Sequence, residues 1–126
     1  MVFVNSGSSA NLLLVKALQS RGRPNRWVSQ ACTWSTTVSP ILQSMGGPYD
    51  CLHLCDVDLR NFSPDLEELE KIFYQQKINY LFLTHLLGFP AVSDDLLSLC
   101  SKYGVVLLED CCESHGATFN GTKVGN

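Results

Sequence analysis

The chain contains no run approaching the roughly 18 apolar residues that a membrane-spanning helix needs. Its first residues, Met1-Val-Phe-Val-Asn5, hold no basic segment ahead of an apolar one, so no signal peptide is readable. Excess charge of one sign is also missing. Nine basic and 12 acidic residues leave a net charge of −3, and no basic stripe of the kind that binds nucleic acid is present. Six cysteines occur without a C-x2-C pair, and His53, His85 and His115 keep no ligand spacing to them. No metal is therefore expected. Reduced cysteines acting as small buried hydrophobes in a cytoplasmic protein are the simpler reading. What remains is 126 residues, 45% hydrophobic and 17% charged, enough for one globular domain.

Short apolar strands alternate with longer helical stretches. Val2-Phe-Val4 reads as a strand, and Ala10 to Leu18 as a helix with Leu12, Val15 and Leu18 on one face. Trp27-Val-Ser29 gives a strand, followed by a helix from Ser35 or Thr36 towards Met45 that Gly46-Gly-Pro48 stops. Leu52 to Asp56 is a strand. Ser63 then reads as a cap with Pro64 in the first helical position and acids behind it. Tyr80 to Thr84 and Val105 to Leu108 are strands around a helix that starts at Ser93 and stops at Gly104. Asn120-Gly121 closes a hairpin within Ala117–Lys123. Such alternation predicts an α/β fold with a mostly parallel, doubly wound sheet. Ligands of such sheets sit outside the carboxyl ends of the strands. The loops at Asn5–Ser9, Ala31–Ser35, Asp56–Asp58, Thr84–Pro90 and Asp110–His115 therefore share one edge.

Two of these loops carry specific chemistry. In Asn5-Ser-Gly-Ser-Ser-Ala10, Gly7 permits a tight turn, and the following helix offers amides and a dipole that favour a phosphate. Ser8 and Ser9 can add donors there, or simply cap the helix. Val105-Val-Leu-Leu-Glu-Asp110 delivers two carboxylates at a buried strand end. A carboxylate in a water-poor pocket keeps a nearby pyridinium nitrogen protonated. Asp110 is the candidate, because Glu109 points to the opposite face; a turn-capping role competes with it. A phosphorylated ring with a basic nitrogen, such as pyridoxal phosphate, suits both loops. Trp34 can stack on such a ring or serve as a packing anchor. Glu113 and His115 can reach a ring hydroxyl or a substrate, and His85 can fix loop geometry.

Taken together, the segments resemble the DegT/DnrJ/EryC1/StrS family of pyridoxal-phosphate-dependent sugar aminotransferases. Asn5–Asn11 is similar to that family's S-G-T/S-x-A turn, and Thr33-Trp-Ser-Thr-Thr37 to its T-F/W-x-A/T-T segment. Cys55-Asp-Val-Asp58 with Asn61–Asp65 resembles D-V-D and the following helix. His85–Pro90 resembles H-x-x-G-x-P, and Glu109–Ala117 resembles E-D-x-A-Q-A-x-G-A. The resemblance implies a fold-type-I large domain, in a homodimer when full-length. It places Ser8 and Ser9 at the cofactor phosphate, Trp34 over the ring, Asp110 at the ring nitrogen and Glu113 near the ring hydroxyl. Residues 1–126 would then be a partial cofactor-binding domain, truncated at both ends and inactive alone. No lysine present can be assigned the Schiff-base role: Lys16, Lys71 and Lys102 fall on helical patterns, Lys77 near a helix end and Lys123 in the hairpin.

The implied activity is transfer of an amino group, from glutamate, to a nucleotide-linked keto sugar. Glu113 stands where the family usually has glutamine. An acid there is reminiscent of relatives that dehydrate a 4-keto-6-deoxy sugar at C3, a second expectation. A non-catalytic remnant of the same fold is the third.

Overall fold

The computed structural model describes residues 2–22, 24–44 and 51–126. Helix α1 spans Gly7–Gln19, strand β1 Trp27–Gln30, α2 Ser35–Ser44, β2 Leu52–Cys55 and α3 Leu66–Gln76. Strand β3 (Tyr80–Thr84), helix α4 (Asp94–Tyr103) and β4 (Val106–Asp110) follow, and β5 (Thr118–Phe119) with β6 (Thr122–Lys123) forms the hairpin. The four long strands lie in the order β2-β1-β3-β4, and each neighbouring pair is parallel. The doubly wound sheet is thus the one the alternation predicts. From β1 the chain winds outward to β2, then returns to the other side of β1 and continues to β4. That places a topological switch point between β1 and β3, where such sheets bind ligands.

Period-two alternation sorts the strand side chains into two cores. Trp27, Tyr80, Phe82 and Leu108 meet Val15 and Ile41 of α1 and α2 on one face. Val28, Leu81 and Leu83 meet Leu69, Phe73, Leu96 and Cys100 of α3 and α4 on the other. Three layers result, with the sheet in the middle. Strand ends inherit this parity, so Asp110 lies on the α1/α2 side with Leu108, and Glu109 on the α3/α4 side.

Several local expectations are corrected. Val2-Phe-Val4 forms no strand; Val2 and Phe3 are 84% and 88% exposed with no ladder partner among the described residues. Helix α1 starts three residues early, because Ser6 caps it by accepting from the Ser9 amide at 3.2 Å. Leu12 faces outward, while Asn11 and Val15 are the buried positions. The cap of α3 is Asp65, which accepts from Glu68 N at 3.0 Å, because Pro64 is drawn into a bridge with Val57. The stop assigned to Gly46-Gly-Pro48 lies outside the described residues.

Candidate functional site

A cavity of about 280 Å³ opens at the carboxyl edge of the sheet, beside the switch point. Gly7 and Ser8 line one end, Asp110 and Cys112 the floor, Trp34 and Thr36 a wall, with Thr84 and Glu113 completing it. The sequence-derived loops at residues 5–9, 31–35, 84–90 and 110–115 therefore converge; the Asp56–Asp58 loop, beyond edge strand β2, contributes no lining residue.

At the Gly7 end, the first turn of α1 presents amides with no partner inside the helix. Ser8 is exposed and lines the cavity, whereas Ser9 is half-buried and engaged by the cap, its amide and hydroxyl both bonded to the Ser6 hydroxyl. Gly7 lies in close approach to Cys112: a side-chain carbon at this position would collide with Cys112 Sγ unless that thiol moved.

Asp110 is 6% exposed, lines the cavity and accepts from donors in three directions. Oδ2 accepts from Asn11 Nδ2 at 2.7 Å and from Thr37 Oγ1 at 3.3 Å; Oδ1 accepts from Cys112 N at 3.0 Å. Burial pushes this carboxyl up, but the bonds from Asn11, the Cys112 backbone and thiol, and Thr37 outweigh it and hold the group below its ordinary value. A buried anion on the cavity floor is the result. The Cys112 thiol gives the reciprocal effect: its bond to Asp110, then burial, pushes it up to about 11. A row of hydroxyls continues from the acid, with Thr84 Oγ1 lying 3.1 Å from Thr37 Oγ1 and 2.8 Å from Thr33 Oγ1.

Trp34 is 56% exposed at the rim, available to a flat ligand. Glu113 lines the cavity and also accepts from Leu87 N at 2.8 Å, holding a residue whose φ is +53°. His115 is exposed and outside the lining. His85 does fix loop geometry. Completely buried, it accepts from Ala91 N on Nδ1 at 3.0 Å and therefore donates from Nε2 to Glu109 at 2.8 Å. That bond, offset by burial and aided by Gly125 N, lowers the Glu109 carboxyl. Cys111 lies near enough for His85, Glu109 and Cys111 to offer atoms within 4.8 Å of one another. Both imidazole nitrogens are already committed, so His85 has no lone pair for an ion. All six cysteines are free. No helix among the described residues is long and apolar enough to cross a membrane.

Asn11, Thr37 and Thr84 are site residues that sequence reasoning missed. Asn11 sits on an otherwise amphipathic helix, and its partner is 99 residues away. The only available signal was a polar residue on the stripe that Val15 buries.

The model of the DegT/DnrJ/EryC1/StrS aminotransferase family matches residues 1–126. GDP-4-keto-6-deoxy-D-mannose 3-dehydratase of Escherichia coli O55:H7 is 34% identical over 130 residues, covering 98% of this chain and 32% of that protein. L-glutamine:2-deoxy-scyllo-inosose aminotransferase of Streptomyces lividus is 28% identical over 120 residues, covering 95% and 27%. Among solved structures, S. venezuelae DesV in complex with a ketimine intermediate superimposes with a TM-score of 0.80 at 25% identity, over 97% of this chain and 31% of that one. The chain thus spans about a third of the length of these relatives. The fold is the large-domain sheet of a fold-type-I aminotransferase, as the resemblance implied, and the chain belongs to the DegT/DnrJ/EryC1/StrS aminotransferase family.

Proposed function

We propose that this chain is the cofactor-binding part of a pyridoxal-phosphate-dependent aminotransferase acting on a nucleotide-linked keto sugar. The observation that carries the reading is Asp110: a buried carboxylate kept ionised by hydrogen bonds, on the floor of a cavity whose other end is a helix N-terminus opened by Gly7. These two features suit opposite ends of one ligand, a protonated ring nitrogen and a phosphate. Bound there, pyridoxal phosphate supplies an electron sink for a substrate carbanion. Asp110 would hold a proton on the ring nitrogen, Gly7, Ser8 and Ser9 would frame the phosphate, and Trp34 would cover the ring face and exclude water. Of the two serines, Ser8 is better placed, since Ser9 is engaged by Ser6. Glu113 would stand near the ring hydroxyl. Glutamate is the proposed amino donor, a homodimer the proposed assembly and the cytoplasm the proposed location, with residues 1–126 a partial large domain.

Reconstituting the full-length protein with pyridoxal phosphate tests this. A cofactor absorbance band that Asp110→Ala weakens, together with glutamate-dependent amination of a 4-keto-6-deoxy nucleotide sugar, is the expected result. No band with the unaltered protein, or undiminished turnover of the Asp110→Ala variant, refutes it.

Glu113 favours a second reading, removal of the C3 hydroxyl from the same substrate class, and the relative at 34% identity is named as such a dehydratase. Product analysis separates the two: a deoxygenated sugar identifies dehydration, an amino sugar transamination.

A further inference from the structure

The Asn11 side chain accounts for a defect in the neighbouring helix. Pro40 lies inside α2 and has no N–H to offer the Thr36 carbonyl four residues earlier. Asn11 Nδ2 takes that carbonyl at 3.2 Å with one proton and Asp110 Oδ2 at 2.7 Å with the other. Both amide protons are spent on acceptors. The reversed amide would set its oxygen against a carboxylate and a carbonyl, so the orientation is fixed. Asn11 is 4% exposed and stands four residues after Gly7, on the same face of α1. One rigid helix therefore carries both the turn that frames the Gly7 end of the cavity and the amide that grips the acid on its floor. The other ionisable groups near this acid are Glu113 across the cavity, the Cys112 thiol beside it, the Cys111 thiol next in the chain and Glu109 on the opposite face of β4; none of them is cationic.

We propose that Asn11 is a positioning residue for Asp110, its amide braced on the Thr36 carbonyl that Pro40 leaves vacant so that the carboxylate is held facing a bound ring nitrogen. This rests on the cofactor reading above, but the link between Asn11 and Asp110 is testable without it.

Acid titration of the full-length protein, with labelled asparagine amide and aspartate carboxyl groups, gives the first test. The Asn11 Nδ2 protons should shift with the same midpoint as the Asp110 carboxyl, and independence of the two signals would overturn the proposal. Asn11→Ala and the near-isosteric Asn11→Leu supply the second. Either folded variant should titrate Asp110 at higher pH. It should also bind pyridoxamine 5′-phosphate about tenfold more weakly, the scale of one lost hydrogen bond to a charged group. Competition by inorganic phosphate should be unchanged, because the turn at Gly7 is untouched. Equal loss for both probes would mean that Asn11 merely shapes the turn, and would overturn the proposal. Failure of the unaltered protein to bind pyridoxamine 5′-phosphate would sink the cofactor reading; binding that the variants leave intact would sink only the role of Asn11.

Discussion

Single atoms decide the fit of the cavity. Gly7 has no side chain because Cys112 Sγ occupies the space one would need. Gly7→Ala should therefore destabilise the protein by about 1–3 kcal/mol, the usual cost of overpacking, and weaken cofactor binding. In Gly7→Ala/Cys112→Ala the collision is gone, so most of the loss should return. Urea unfolding of the two single variants and the double variant measures the coupling, and simple additivity would contradict the contact. His85 makes a different kind of demand. Removing its imidazole leaves the buried Ala91 N without its acceptor and Glu109, half-buried, with Gly125 N as its remaining donor, so His85→Ala should lose about 2–4 kcal/mol in the same measurement. At this scale the sequence was informative where strand parity applies: Asp110 inward, Glu109 opposite, His85 as a loop fixture. It was silent on Asn11, because a buried amide on a helix acquires meaning only when β4 arrives beside it.

Helices and strands were legible to the extent that their own residues decide them. Ser93 and Gly104 bound α4 as read, with the serine hydroxyl on Leu96 N and the glycine at φ +65°. Asn120-Gly121 closes the hairpin with both φ values positive, at +49° and +76°. Helix α3 was misread at its start because the choice between Ser63 and Asp65 depends on the Val57–Pro64 bridge, a tertiary contact. Asp65→Ala should accordingly cost α3 about 1 kcal/mol, whereas Ser63→Ala should cost much less; thermal melting compares the two directly. Lys77 ends the same helix in the left-handed region, at φ +53°. Lys77→Gly removes that strain and should stabilise the protein slightly, in contrast to glycine in a helix interior.

For the whole molecule the titrating groups set a stability window whose two ends have different causes. Asp110 and Glu109 lie below their ordinary values of 3.8 and 4.5. The unfolded chain thus takes up protons first as pH falls, and the stability these groups contribute is complete above about 4.5 and drains away below it. The alkaline end has the opposite sign. Burial, aided by Glu68, pushes the Cys55 thiol up to about 12, and burial pushes Cys100 up to about 11, from an ordinary 9.0. Folded thiols stay protonated while unfolded ones ionise, so their contribution is complete below 9 and lost as pH rises through the folded values. Urea midpoints taken from pH 3 to pH 11 should form a plateau between about 5 and 9 with a fall on each side. Glu109→Gln should flatten the start of the acid fall, and Cys55→Ala/Cys100→Ala should flatten the alkaline one. Both thiols should resist a disulfide reagent at pH 8 until urea is added. Exposed Cys112 should react slowly as well, since its bond to Asp110 keeps it protonated. In Asp110→Asn that restraint is gone, and an unchanged rate at Cys112 would contradict the pairing of thiol and carboxylate on the cavity floor.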